Sequence, residues 1–334
     1  MGRQTESNYS FSHSEMEVHK QCRRRWYLKY YLKLRRNREP RAVARDTGIL
    51  VHSALHEFYL LGGLTNRDIS VPRMFEFINH ARDTDLAKVS ETERKDVTEI
   101  HDVSRIVLQG YVEWLEETGA DSYYEFHPGA DGTEVELRAP GPVEGTEIMG
   151  YLDLAGTHKQ SGDLVVMDTK VVASIDDMIK NLAINEQGPT YAILSKVNDP
   201  DPDRGFRVVW NFLKRNKQTA RAKPPFYQRY ELAINQAMLQ QFYLQLQGQM
   251  EEILRTEARL NAGESHVQVA YPTPSKDCSW KCEFFALCGQ MNDPRTDSTW
   301  TINQYYTTPG QRDAARLEAE QAALADTTNN TEGE

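Results

Sequence analysis

Four cysteines place the tightest limit on how this 334-residue chain can fold. Cys22 stands alone near the N-terminus, and Cys278, Cys282 and Cys288 follow some 250 residues later as C-x3-C-x5-C. Two disulfides would also use four thiols. Three of them within eleven residues, in a chain whose start MGRQTESNYS has no apolar secretion segment, point instead to a metal site in a reducing compartment. Structural zinc usually takes two C-x2-C pairs, which one plus three fits poorly. An iron–sulfur cluster takes four thiolates and accepts mixed spacings, so it suits the pattern best, with zinc and unpaired core cysteines as the alternatives. Either metal would close a loop of over 250 residues and tie the two chain ends together.

Charge is informative once it is located. The total is −10, yet Lys20 to Arg41 holds ten basic residues against Glu39 alone, a local +9 that leaves −19 for the rest. One basic stripe on an acidic chain suits a localised contact with phosphate; a solvated helix face is the plain alternative. No stretch approaches the roughly 18 apolar residues of a membrane helix. A soluble, cytoplasmic protein of roughly two domains is expected. Gly2 does not begin a myristoylation signal, because Glu6 stands where Ser or Thr is needed.

The capping boxes at Ser12 and Ser14, with Glu15 and Glu17, predict a helix running through Cys22 toward Leu34. Its Trp26, Tyr30 and Leu34 form an apolar stripe that belongs to the core, leaving Arg23, Arg24 and Lys29 largely outside it. Helices are expected in GILVHSALHEFYLL after Gly48 and over roughly 72–118. Three strands follow, at 133–139, 147–155 and 163–171, joined by turns of hairpin length into an antiparallel meander. A helix over about 176–197, a strand at 206–213, the basic KRNK at 214–217 and a helix over 231–260 complete a mixed α/β pattern. No GxxxxGK[ST] is present, so no nucleotide-driven motor is encoded.

The chemistry is expected in the meander. Asp153 ends its second strand, and Asp168 and Lys170 end its third, where an i, i+2 spacing puts them on one face. If the strands are neighbours, two carboxylates and an ammonium converge, a costly cluster unless a cation and an anion complete it. Oxygen ligands of this kind suit Mg²⁺ or Mn²⁺. Glu134 and Glu136 share a strand face that either meets solvent or borders this spot. His56 lies one turn below His52 but lacks the glutamate of a zincin motif, so it reads as helix surface.

Six short motifs stand in one order: SHSEMEVHKQCRRRWYLKY, GILVH, GYLDLAG, MDTK, Gln187 with Tyr191, and the cysteine cluster with a tryptophan inside it. In this the chain resembles the PD-(D/E)xK nuclease superfamily, within it the RecB-like branch with the Cas4 exonucleases and the AddB nuclease domain. The resemblance implies a restriction-endonuclease-like α/β fold, with a central mixed sheet flanked by helices and the terminal segments joined by an iron–sulfur cluster. It implies that His52, Asp153, Asp168 and the carbonyl of Thr169 hold Mg²⁺ or Mn²⁺, and that Lys170 is catalytic. Gln187 and Tyr191 would position substrate, Cys22, Cys278, Cys282 and Cys288 would bind [4Fe–4S], and Arg23, Arg24, Lys214 and Arg215 are phosphate-contact candidates. The implied layout is a flexible terminus (1–11), a helical region (12–130), a nuclease core (131–262), a cluster-binding segment (263–292) and an acidic tail (293–334). The expected activity is a metal-dependent DNA exonuclease acting on single strands or ends in a bacterial, archaeal or phage-infected cell, with a helicase or CRISPR-integration partner. The rival is a catalytically silent DNA-binding or assembly subunit.

Overall fold

A computed structural model describes residues 9–38, 40–127, 129–201, 203–216 and 222–312. The expectations for residues 1–8, for Lys217 and for the tail from 313 onward lie outside them. Along the chain run β1 (Tyr9–Ser12), α1 (His13–Gln21), α2 (Val43–Leu60), α3 (Arg67–Lys88), α4 (Arg94–Thr118), β2 (Tyr124–Phe126), β3 (Thr133–Pro140), β4 (Thr146–His158), β5 (Leu164–Val172), α5 (Gln187–Asn198), β6 (Phe206–Lys214), β7 (Tyr227–Ile234) and α6 (Gln236–Asn261), joined by shorter helical turns. They divide into two compact units, one of Tyr9–His13 with Arg41–Gln247, the other of Ser14–Pro40 with the chain from Gly248 onward. Residues 9–11, expected to be flexible, form β1, and Phe11 is fully buried.

The larger unit is built on a mixed seven-stranded sheet in the order β1-β4-β5-β6-β7, with β2 and β3 also paired to β4. The meander is present as read: β3 pairs β4 and β4 pairs β5, both antiparallel. β5 and β6 are parallel neighbours, as a crossover through α5 requires. β5 is central and apolar from Leu164 to Met167, so both its faces are covered. On one face α2, α3 and α4 bring Val51, Phe58, Met74 and Tyr111 against Val165, Met167 and Val209. On the other lies α5, seated by two glycines. A Cβ on Gly150 of β4 would stand 2.8 Å from Leu194 Cδ1, and one on Gly188 would stand 3.1 Å from Val208 Cγ1.

Three boundaries differ from expectation. The helix expected over 176–197 is broken into Ile175–Ile179, a tight turn at Leu182–Ile184, and α5. Asn185 Oδ1 accepts the Gln187 N–H at 2.8 Å, which starts α5 at Gln187. The helix expected from 231 begins at Gln236, because Tyr227–Ile234 pairs with β6 as β7.

In the smaller unit the helix expected through Cys22 stops at Gln21. Cys22 is extended (φ −161°, ψ 110°), after which Arg23–Trp26 is helical and Tyr27–Tyr31 forms one π turn. Trp26 is fully buried and donates from Nε1 to Glu15 Oε1 at 3.0 Å, and Leu34 is buried too, whereas Tyr30 of the expected stripe is only half-buried. Leu28 and Leu34 pack with Phe284, Leu287 and Tyr306, and Arg35–Arg36 pairs with Tyr306–Thr307 as a short antiparallel ribbon.

Candidate active site

The pairing of β4 with β5 ends at the rung Leu154 to Met167. Asp153 and Asp168 are the next residues on each strand, at the point where the strands part. There the Asp153 side chain replaces a ladder partner: its Oδ2 accepts the Thr169 N–H at 2.9 Å and lies 3.2 Å from His52 Nδ1 on α2. Asp168 is buried, and α5 holds one of its oxygens. Oδ1 accepts from Gln187 Nε2 at 3.0 Å and from the Tyr191 hydroxyl at 2.9 Å, while Gln187 Nε2 also donates to Tyr191 at 2.6 Å. Oδ2 faces the Lys170 ammonium, 2.6 Å away. That ammonium also stands 5.6 Å from the centre of the Trp210 ring. The i, i+2 rule for Asp168 and Lys170 holds, and Thr169 points to the opposite face, toward Asn211.

The electrostatics follow from burial opposed by pairing. Burial disfavours a charged His52 ring, but Asp153 and then Asp168 outweigh it and the pKa is raised. Burial likewise works against ionised Asp153, yet His52, the Thr169 N–H and Lys170 hold it below the usual range. For Asp168 burial prevails over Lys170, and with Asp153 nearby the value is raised. Burial, then the two aspartates, also lifts the Tyr191 hydroxyl well above its ordinary value. Two carboxylates whose values diverge, beside a lysine, mark this end of the sheet as a candidate site.

Among the described residues no three His, Cys, Asp or Glu side chains are gathered closely enough to hold a metal as they stand. At this end of the sheet His52 pairs with Asp153 and Lys170 with Asp168. A divalent cation fits the donor set. Asp168 Oδ2 is buried with only the Lys170 ammonium against it among the described residues, and the carbonyl of Thr169 points to the same side as its N–H, beyond the last β4 rung. The spot opens into a cleft of about 620 Å³ lined by Arg45, Gly48, Ile49, His52, Glu134 and Lys170, among others.

Glu134 corrects the shared-face reading. Its rung opposite Asp153 is missing from the β3–β4 ladder, and its backbone is left-handed (φ +52°), so it lines the cleft. Burial and then Asp153 raise its pKa. Glu136 instead pairs at the surface with Arg138 and Tyr151. Nothing in the alternation of TEVELRA signals this difference. His56 Nδ1 lies 2.8 Å from Thr133 Oγ1.

The four cysteines belong to the smaller unit and are free thiols. Cys22 Sγ accepts the Thr273 N–H at 3.4 Å and Cys278 Sγ accepts the Ser275 N–H at 3.3 Å. Burial raises Cys282 and Cys288, and among the described residues no three of the thiols are gathered closely enough to hold a metal as they stand. The basic segment is mostly committed inside this unit. Arg24, expected outside the core, is buried at 1% exposure and donates to Asn292 Oδ1 at 2.5 Å, which takes it out of reach of phosphate. Arg25 and Lys29 pair with Glu283. Arg23 is more open, 3.6 Å from Glu252 and stacked over Tyr271. Lys214 donates to the Lys223 carbonyl, and the Arg215 N–H bonds to Val172, whose side chain lines the cleft.

No curated protein matches this sequence. Among solved structures it is similar to a protein of Eubacterium rectale provisionally described as an exonuclease, with 11% identity and a TM-score of 0.47 over 84% of this chain and 88% of that one. It is also similar to LHK-Exo in complex with dAMP, with 12% identity and a TM-score of 0.28 over 66% of this chain and 95% of that one. The family comparison reaches further, matching residues 10–289 to the PD-(D/E)XK nuclease superfamily, a span that holds both aspartates, Lys170, His52 and every cysteine. On that match the chain belongs to the PD-(D/E)XK nuclease superfamily.

Proposed function

We propose that this chain is a divalent-cation-dependent deoxyribonuclease of the RecB-like, Cas4-related type. It would hydrolyse single-stranded DNA or DNA ends as an exonuclease in recombination, repair or CRISPR-type processing. The observation that carries this reading is Asp168: one oxygen is locked by Gln187 and Tyr191, and the other is turned to Lys170, which lines an open cleft. His52, Asp153, Asp168 and the Thr169 carbonyl would hold Mg²⁺ or Mn²⁺. Such a cation, when bound, supplies an activated water and neutralises charge on the phosphate. Gln187 and Tyr191 keep the Asp168 carboxylate in one orientation. Lys170, with 30% of its side chain exposed, exchanges its Asp168 contact for the charge that develops on the phosphate, or orients the water. Arg23, Lys214 and Arg215 are the phosphate contacts; Arg24 is left out.

The proposal extends to the thiols: Cys22, Cys278, Cys282 and Cys288 hold a [4Fe–4S] cluster. Support comes from their place in one unit without a disulfide and from the backbone N–H groups directed at two of the sulfurs. It does not extend to a helicase or CRISPR-integration partner, for which no described residue argues. Digestion of end-labelled DNA by anaerobically purified protein tests the activity. Short products should appear with Mg²⁺ or Mn²⁺ and none with EDTA. Cleavage indifferent to EDTA overturns the cation reading; DNA binding without cleavage in either metal makes the chain a silent subunit.

A further inference from the structure

Behind the catalytic strand, on the face away from Asp168 and Lys170, three polar residues stand abreast. Thr169 on β5 is registered with Asn211 on β6, and Asn211 with Arg229 on β7. Asn211 is fully buried and all its polar atoms are used. Nδ2 donates to Thr169 Oγ1 at 3.2 Å and to the Tyr111 hydroxyl at 3.0 Å, and Oδ1 accepts from Arg229 Nε at 3.4 Å. Arg229, with 8% of its side chain exposed, donates to Tyr111 at 2.9 Å, to Asp121 at 2.5 Å and to the Ala120 carbonyl at 2.8 Å. Its guanidinium lies between the rings of Trp114 and Tyr124, 5.6 Å from each. The row crosses an otherwise apolar layer of Phe58, Met167, Val209 and Leu213, where aliphatic residues would fill the space without desolvating a charge.

What distinguishes this row is where it ends. The Thr169 hydroxyl is held from behind by Asn211, and the Thr169 N–H is held from the cleft side by Asp153. Both groups belong to the residue between the aspartate and the lysine. We propose that the row formed by Asn211, Arg229 and Tyr111 positions the Thr169 peptide, so that its carbonyl and the flanking Asp168 and Lys170 keep one aim toward the cation and the phosphate. Asn211 and Arg229 are positioning residues in this account, and they touch neither substrate nor metal. The inference rests on the cation reading above.

Thr169→Val removes the hydroxyl with little change of shape, and Thr169→Ser keeps the hydroxyl and removes the methyl. Melting temperature, Mn²⁺ affinity by calorimetry, metal-free DNA affinity, kcat and KM are measured on both, with Asp168→Asn as the control. Thr169→Val should stay folded, melting a few degrees lower because a buried Asn211 N–H loses its acceptor, and bind DNA normally without metal, yet lose roughly 10-fold or more in Mn²⁺ affinity, the range for a residue that supports a metal ligand. Its kcat should fall with KM unchanged, and Thr169→Ser, which keeps the hydroxyl, should recover most of both losses. A folded Thr169→Val with wild-type Mn²⁺ affinity and kcat overturns the proposal, as does a Thr169→Ser that fails equally. If Thr169→Val does not fold, Tyr111→Phe takes its place, with a drop in Mn²⁺ affinity expected and wild-type affinity overturning the idea. Asp168→Asn separates the two readings: if it binds Mn²⁺ as wild type does, the cation assignment itself has failed, whatever Thr169→Val shows.

Discussion

Asp168 keeps its two oxygens in different surroundings, and that difference decides what each neighbouring side chain contributes. Oδ1 is saturated by Gln187 and Tyr191, so only Oδ2 is left to trade Lys170 for another cation. Asp168→Ala and Asp153→Ala should therefore each abolish cleavage while metal-free DNA binding survives, read by anisotropy and by product release. Lys170→Ala should lower kcat by about 10²–10³, the cost of removing one group that stabilises charge in the transition state. In the smaller unit, His19 carries a pH-dependent contribution to stability. Burial and then Arg23 push it down to about 4, and its Nε2 lies 3.4 Å from Thr256 Oγ1. A histidine whose folded value lies below its unfolded one binds its proton first in the unfolded chain. The stability it contributes is whole above about pH 6.5 and is lost as pH falls toward 4. Melting followed from pH 7 to pH 4 should fall less steeply for His19→Gln than for wild type; parallel curves would contradict the assignment.

The elements carry the site because α5 lies close to the sheet. Gly150 and Gly188 leave room for that approach, and it sets Gln187 and Tyr191 one turn apart over Asp168. Gly150→Val should push Leu194 away and destabilise the fold by about 1–3 kcal/mol. The larger sign should be loss of cleavage in protein that remains folded, since Asp168 loses both donors; unchanged activity would show that α5 does not need this seat. Much of this level was legible in the sequence. The strands of the meander alternate or run apolar as their burial requires, and the D-x-K spacing settles which side chains share a face. Less was legible where tertiary contacts overrule local pattern. YQRYELAI mixes polar and apolar residues at an edge of the sheet, so it merges with the helix that follows. The break at Cys22 is invisible to capping rules, because Arg23–Trp26 resumes helical geometry at once. Glu134 reads as one of two alternating glutamates, and only its left-handed backbone opposite Asp153 separates it from Glu136. Arg24 counted toward a basic stripe until its partner Asn292, 268 residues away, came into view.

At the scale of the whole molecule, the smaller unit exists only if the two ends of the chain meet, since Ser14–Pro40 and the segment from Gly248 onward build it together. Within it a few packed side chains and the pairs of Arg24 and Arg25 join the ends. A covalent link between Cys22 and the three later cysteines would add the closure entropy of the intervening loop. In the chain-entropy account a cross-link over even a 100-residue loop contributes about 5 kcal/mol, and this loop is longer. The four thiols are not equivalent in this respect. Cys22→Ser frees one chain end from the other, whereas Cys278→Ser leaves Cys22 still joined to Cys282 and Cys288. Anaerobic wild-type protein should be brown and carry about four iron and four sulfide per chain, as a [4Fe–4S] cluster requires. Both variants should keep a cluster on three thiolates with less iron than wild type, but Cys22→Ser should show the greater fall in melting temperature and the earlier protease cutting before Pro40. Equal melting of the two variants would remove the closure argument. One zinc per chain with no sulfide would replace the cluster with a zinc site, and would leave the predicted order of the two variants in force.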